Sequence, residues 1–228
     1  MTDVRGPVVA IADYGMGNLY SVKLACEQVG LSSIVSSSPA EVRAADAVIL
    51  PGIGGMPDAM TALRATRMDE ALGRIVADGK PLFGICLGMQ LLMTEGMEFG
   101  RHAGLGLLRG AVVRFDAPHD GNRRLKVPSI GWNKVMPQRN DPRRWLGTPL
   151  EGTQTGEFFY FVHSFCVVPQ EPEVVAATTR YGNVEYCSAV HCGNIFGCQF
   201  HPERSGPAGL QVYRQFAAVV RRTAGHLS

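Results

Sequence analysis

Cys86 sits in the string G-I-C-L-G (84–88), with a glycine two positions to either side and an apolar run, P-L-F-G-I (81–85), leading into it. A buried strand that breaks into a sharp turn and then a helix lifts the central side chain out of the sheet, which is the logic of a nucleophile elbow with Cys in place of Ser. The helix start would place unpaired N–H groups and a positive dipole end beside the sulfur. That setting matters because an ordinary thiol, of pKa about 8.5, is only a few per cent thiolate at neutral pH, and the thiolate is the nucleophile. The Leu87 N–H, one residue on, can meet a developing oxyanion.

Such a nucleophile needs a base, and the base needs a partner that fixes its tautomer. The string H-P-E (201–203) supplies both. Proline biases the residue before it toward extended backbone, and in extended backbone positions i and i+2 share a side. Glu203 can therefore hold one nitrogen of the His201 ring while the other faces elsewhere. His163, in Y-F-V-H-S-F (160–165), is a second candidate base, but its own strand carries no nearby carboxylate, so it reads as pocket wall or structure. His102, His119 and His226 read as surface residues. The string L-P-G-I-G-G (50–55) ends another apolar run, and its Gly52, Ile53 and Gly54 can present backbone N–H groups with little side chain in the way. It is a poor phosphate cradle, having neither GxGxxG nor a Walker lysine, and lining an oxyanion site suits it better. Cys187, His191, Cys192 and Cys198 contain no CxxC pair, and strand alternation would scatter them over two faces, so no metal is expected. The cysteines other than Cys86 read as small buried hydrophobes.

The elements that must position these residues alternate in the N-terminal half. Strands are expected at 7–12, 31–35, 47–50 and 81–85, and helices at 19–29, 57–64, 68–77 and 87–95. Near-continuous apolar strands separated by helices predict a parallel sheet covered on both faces. The second half reads as strands at 112–115, 133–136, 158–168, 174–180, 184–190 and 195–200, closed by a helix over 207–223. T-R-Y-G-N-V-E-Y (179–186) and V-H-C-G-N-I-F (190–196) carry Gly–Asn turn signals and predict hairpins. Residues 116–128 are expected to form an exposed loop. The expectation is one mixed α/β domain over 1–228, its mainly parallel central sheet flanked by helices, with antiparallel hairpins toward the C terminus.

The 228 residues carry 22 Lys and Arg against 20 Asp and Glu, a net charge of +2, too small to point to nucleic acid or an acidic membrane. At 46% hydrophobic residues the chain can bury a sizeable core, which excludes disorder. No run of 18 apolar residues suggests a membrane span. The first residues lack the pattern of a secretory signal, so a cytoplasmic location is expected.

Together, G-I-C-L-G-M-Q (84–90), L-P-G-I-G (50–54) and Q-F-H-P-E (199–203) resemble the triad-type, class I glutamine amidotransferases. A-D-Y-G-M-G-N-L (12–19), P-S-I-G-W-N (128–133) and Y-F-V-H-S-F (160–165) narrow the resemblance to the glutaminase subunits of imidazole glycerol phosphate synthases in histidine biosynthesis. The resemblance implies that Cys86 attacks the side-chain amide of glutamine, with His201 and Glu203 completing the triad and no cofactor required. Leu87 and the Gly52–Gly54 backbone would form the oxyanion hole, with a reorientation near Ile53. Gln90, Glu98, Ser164 and Phe165 would hold the glutamine. Ammonia would pass to a (β/α)8 synthase subunit in a heterodimer, with Trp132 and Tyr160 at or near the interface. Two positions depart from the family's pattern: Ser129 stands where it usually has His, and Phe165 where it usually has Tyr. A paralogous triad glutaminase feeding another synthase, or a non-catalytic module on the same fold, are the competing readings.

Overall fold

The computed structural model describes residues 6–227, without the side chains of His226 and Leu227; the surface reading of that histidine, and the first residues of the chain, lie outside the described residues. The N-terminal half runs β1 (Val8–Ala12), α1 (Leu19–Gln28), β2 (Ser32–Ser36), α2 (Pro39–Ala44), β3 (Ala47–Leu50), α3 (Met56–Thr66), α4 (Met68–Ala77), β4 (Leu82–Ile85) and α5 (Leu87–Leu91). Short strands β5 (Met93–Gly96) and β6 (His102–Ala103) lead to β7 (Leu108–Arg114), the small pair β8 (His119–Asp120) and β9 (Arg123–Arg124), and then β10 (Ser129–Pro137). After two 3-10 turns come β11 (Glu157–His163), β12 (Phe165–Pro169), β13 (Val175–Tyr181), β14 (Val184–Cys192), β15 (Ile195–Cys198) and α6 (Gly206–Leu227).

Thirteen strands share one sheet, whose main path is β2-β1-β3-β4-β15-β14-β12-β7-β5-β6. From β2 through β15 every pairing is parallel. The pairs β14–β15, β13–β14, β12–β14, β7–β12 and β10–β11 are antiparallel. Alternation along β1 shows how the sheet is covered: Val9 and Ile11 join the core that includes Val22 of α1 and Tyr213 of α6. Ala10 and Ala12 join the core that includes Val42 of α2, Leu63 of α3 and Leu72 of α4. Both faces are thus buried, as the unbroken apolar strands require. Both Gly–Asn hairpins form, with Gly182 at φ 61° and Gly193 at φ 57° supplying the left-handed turn.

The structure departs from the sequence reading in several places. The helix expected over 87–95 stops after Leu91, because the chain turns into β5 and bonds to the segment between β6 and β7: Leu105 N–H donates to Leu91 O (2.8 Å) and Leu108 N–H to Leu92 O (2.9 Å). A short apolar run does not separate helix from buried strand by periodicity alone. The single strand expected over 158–168 is two, because β11 pairs with β10 while β12 pairs with β7, and Ser164 lies at the break. The loop at 116–128 is largely exposed yet tied down: His119 exchanges two hydrogen bonds with Asn183 (2.8 and 2.9 Å), and Tyr181 Oη donates to Lys126 O (2.9 Å). Cys192 is exposed, against expectation, whereas Cys26, Cys166, Cys187 and Cys198 are buried as expected. Helix α2, capped by Ser38 on the Glu41 N–H, was not anticipated.

The register decides what meets at the sheet edge. Leu50 lies opposite Gly84, and Ile85 opposite Cys198, so the segments that leave β3, β4 and β15 emerge side by side. Gly88 is where helix α5 crosses this edge, and a Cβ there would overlap the Leu50 carbonyl oxygen, a backbone atom. Gly88→Ala should therefore destabilise the protein by about 3 kcal/mol or more, which for a chain of this size lowers Tm by roughly 6–12 °C. Urea and thermal unfolding measure it, and an unchanged midpoint would show that α5 yields freely.

Candidate active site

Cys86 is held at φ 54°, ψ −108°, a left-handed conformation that a non-glycine residue adopts only when its surroundings impose it. Two constraints do so. Its N–H donates to Cys198 O at 2.8 Å, continuing the β4–β15 ladder past the last paired residue. A Cβ on Gly84 would stand 2.9 Å from the Gly88 backbone, so the turn closes only around glycine. Leu87 opens α5, and its N–H belongs to the first turn, whose donors find no acceptor within the helix.

His201 follows β15 in extended backbone at φ −102°, ψ 93°. Its Nδ1 lies 2.8 Å from Glu203 Oε1, and its ring lines the same cavity as Cys86. The Glu203 carboxylate only accepts when ionised, so Nδ1 carries hydrogen and Nε2 is left for the sulfur. Burial alone would push the His201 pKa down. The attraction of Cys86 and Glu203 for the ring's proton outweighs it and holds the ring well above the ordinary histidine range. His201 N–H donates to Tyr160 O (2.9 Å), while Ser205 Oγ donates to His201 O (2.7 Å) and accepts from Tyr160 N–H (3.0 Å). Strand β11 thus anchors the His–Pro–Glu segment.

These groups open onto a cavity of about 270 Å³. Ten of the residues singled out in the sequence line it: Ile53, Gly54, Cys86, Leu87, Gln90, Glu98, His163, Ser164, Phe165 and His201. Its size, just under the roughly 300–1,000 Å³ of clefts for drug-sized ligands, suits an amino acid better than a nucleotide. Gly52 stands behind the wall, where a Cβ would meet Tyr14 Oη at 2.6 Å and Leu87 Cβ at 2.9 Å. Tyr14 Oη donates to Pro51 O at 2.8 Å and so pins the start of the glycine loop, while Gly54 takes φ 93° at its crest. Glu98 accepts from Met56 N–H (2.8 Å), which places its carboxylate at the N terminus of α3. Glu203 is buried behind His201. Trp132 and Tyr160 are register partners on β10 and β11, their ring centroids 6.1 Å apart, and Trp132 is 53% exposed. Tyr160 also lies 6.5 Å from the His201 ring, which puts this hairpin beside the site.

The lining also includes Pro128 and Val162, neither assigned to the pocket wall by side-chain chemistry. Gln199 stands in the Q-F-H-P-E string, but its residue type alone suggested no role for it. It is fully buried, and its Nε2 lies 3.5 Å from Cys86 Sγ. A period-two count back from His201 along an extended segment would have found it. Among the described residues no group of three or more His, Cys, Asp or Glu side chains could hold a metal ion.

The family model described as glutamine amidotransferase class-I matches residues 10–219. The chain belongs to the class I glutamine amidotransferases. Two similar proteins bear the name imidazole glycerol phosphate synthase subunit HisH. That of Syntrophotalea carbinolica is 46% identical over 211 residues, covering 92% of this chain and 98% of the relative. That of Geobacillus thermodenitrificans is 45% identical over 213 residues, covering 93% and 96%. Among solved structures, PurLQS from Thermotoga maritima superposes with a TM-score of 0.68 at 22% identity, covering 92% of this chain and 97% of that one. The glutaminase domain of Trypanosoma brucei CTPS, solved with bound acivicin, gives 0.64 at 16% identity over 96% and 94%. At such identities the structures establish the amidotransferase fold alone.

His163, the second candidate base, is fully engaged in this amidotransferase. Its Nδ1 lies 2.8 Å from Phe165 O, an acceptor, so Nδ1 carries the proton and Nε2 accepts from Tyr186 Oη at 3.3 Å. Burial pushes its pKa down to about 4; the Phe165 carbonyl opposes this and the charge on His201 adds to it. The unfolded chain protonates near the ordinary value of about 6.5, so acid favours unfolding between those two pH values. From this group alone, stability should fall by about 2 kcal/mol between pH 6.5 and pH 4.5. In His163→Gln that part of the acid loss should vanish. Urea unfolding of both proteins at the two pH values checks it, and equal acid losses would count against a neutral His163.

Proposed function

We propose that this chain is the glutaminase subunit of an imidazole glycerol phosphate synthase, working in the cytoplasm in histidine biosynthesis. It hydrolyses glutamine to glutamate and ammonia and passes the ammonia to a (β/α)8 synthase subunit in a heterodimer. The observation that carries the reading is the line Cys86–His201–Glu203 at the mouth of an amino-acid-sized cavity. The name shared by relatives at 45–46% identity supports the particular synthase.

The geometry supports the following chemistry. The Cys86 thiolate attacks the side-chain amide carbon of glutamine. The oxygen of the tetrahedral intermediate takes N–H donors from Leu87 and from the Gly52–Ile53–Gly54 backbone, a peptide near Ile53 turning to complete the pair. His201 gives its proton to the departing nitrogen, and ammonia leaves behind a γ-glutamyl thioester. His201, held by Glu203, then takes a proton from water, whose oxygen attacks the thioester to release glutamate and restore the sulfur. Glu98 has one oxygen committed to Met56 N–H, and the other suits the ammonium of the substrate. Gln90 has both N–H groups committed, to Phe165 O (3.1 Å) and Gln199 Oε1 (3.0 Å), so only its oxygen is free to receive a donor from glutamine. Because Phe165 acts through its carbonyl, the absent tyrosine hydroxyl is no loss. Ser164 and Phe165 close the far wall of the cavity.

The synthase subunit would dock on the face of the β10–β11 hairpin that exposes Ile130, Trp132 and Phe158. Aromatic and aliphatic side chains of this kind form the centres of stable interfaces. Tyr160, between Trp132 and His201, would border the route of the ammonia.

Cys86→Ala should lower glutamine-dependent product formation by the complex at least about 10³-fold. Synthesis from added ammonium salt should stay within about twofold of wild type, since that half-reaction bypasses the sulfur. Assay of the copurified complex with each nitrogen source tests it. Full glutamine turnover by the variant would overturn the assignment of the nucleophile.

A further inference from the structure

Gln199 reaches the sulfur through an amide arrangement with only one consistent orientation. Gln90 Nε2 lies 3.1 Å from Phe165 O and 3.0 Å from Gln199 Oε1. The backbone carbonyl of Phe165 can only accept, so Gln90 must turn its NH2 toward it. The second hydrogen of that NH2 then points at Gln199, which must present oxygen there. The NH2 of Gln199 is left 3.5 Å from Cys86 Sγ, within reach of a hydrogen bond to sulfur. A flip of either amide would set donor against donor or acceptor against acceptor. Gln90 and Gln199 are both buried, so water cannot readily compensate for a misplaced amide.

The placement follows from the strand. Gln199 and His201 lie two positions apart in the extended segment after β15 and share its sulfur-facing side. Phe200 between them faces the other way, into the core against Phe159 and Phe161. The backbone bond from Cys86 N–H to Cys198 O sets the distance between the two segments. Besides these two side chains, the Val162 carbonyl lies 3.9 Å from the sulfur, an acceptor suited to the neutral thiol and not to the thiolate.

We propose that Gln199 is a further catalytic residue of the glutaminase reaction: its side-chain N–H donates to the Cys86 sulfur, favours the thiolate over the thiol, and is held in that orientation by Gln90 and the Phe165 carbonyl. The inference rests on the reading of Cys86 as the nucleophile. A donor to an ionised sulfur lies among the stronger hydrogen bonds, because the acceptor carries a charge.

The test is the pH dependence of alkylation by iodoacetamide in the complex with its synthase, followed at Cys86 by peptide mass spectrometry so that exposed Cys192 does not contribute. In Gln199→Met, which keeps the bulk and loses the donor, the midpoint of alkylation should rise by about one pH unit or more. At pH 7 kcat for glutamine should fall about tenfold with KM within about twofold. Gln199→Glu, of equal size but presenting a carboxylate, should raise the midpoint further and carries the test if the Met variant does not fold. Midpoint and kcat unchanged in a folded variant would overturn the role of Gln199. Cys86→Ser serves as the separate control. If it kept glutamine turnover, the nucleophile reading itself would fail; if it abolished turnover while the Gln199 variants behaved as wild type, only the present inference would.

Discussion

The backbone hydrogen bond from Cys86 N–H to Cys198 O, 2.8 Å long, is the constraint on which the rest of the site depends. It is the last rung of the parallel ladder between β4 and β15, formed after the strand geometry of Cys86 has already broken. Because of it, the residue that turns out of the sheet and the segment that continues from β15 leave the sheet at one height. Gln199 and His201 are then brought to the sulfur's side by the two-residue period of an extended chain, and Glu203 reaches the imidazole from the 3-10 turn that follows over Pro202–Arg204. In open α/β sheets ligands collect at the carboxyl ends of parallel strands, and here three such ends, of β3, β4 and β15, are neighbours.

The turn at Cys86 is strained by its positive φ, and such a conformation costs of order 1–3 kcal/mol. The surrounding structure over-determines it. The ladder bond holds one side, the Gly84–Gly88 contact closes the turn, and α5 lies directly against the Leu50 carbonyl. Strain and electrostatics act on the same few atoms. The turn that costs conformational energy also sets the first turn of α5, with its unpaired N–H groups, at the cavity wall where Leu87 lies.

Much of this was legible in the residues. G-I-C-L-G signalled the elbow, because glycine at those two positions is what a tight strand–helix crossing demands. His201 and Glu203 could be paired from their spacing, but the extended backbone expected through them holds only at His201, and a 3-10 turn over Pro202–Arg204 brings the carboxylate back to the ring. The two Gly–Asn hairpins followed from turn chemistry. What could not be read was whatever depended on long-range pairing. Residues 87–95 carry an apolar run compatible with helix or strand, and only pairing with 102–108 decided it. The break at Ser164 arises because β11 and β12 serve different partners, and that break is what carries His163, Ser164 and Phe165 to the cavity wall. Gln199 was quoted as part of a motif, yet a glutamine has no titratable group to draw the eye; its importance lies in orientation, which distant Phe165 imposes. Trp132 and Tyr160, far apart in sequence, lie side by side only because β10 and β11 pair.

Ser205 has a consequence out of proportion to its chemistry. One hydroxyl, accepting from Tyr160 N–H and donating to His201 O, rivets the histidine's main chain to the strand whose neighbour displays Trp132. The main chain of His201 is thus joined by direct hydrogen bonds, with no flexible segment between, to the hairpin that displays Trp132.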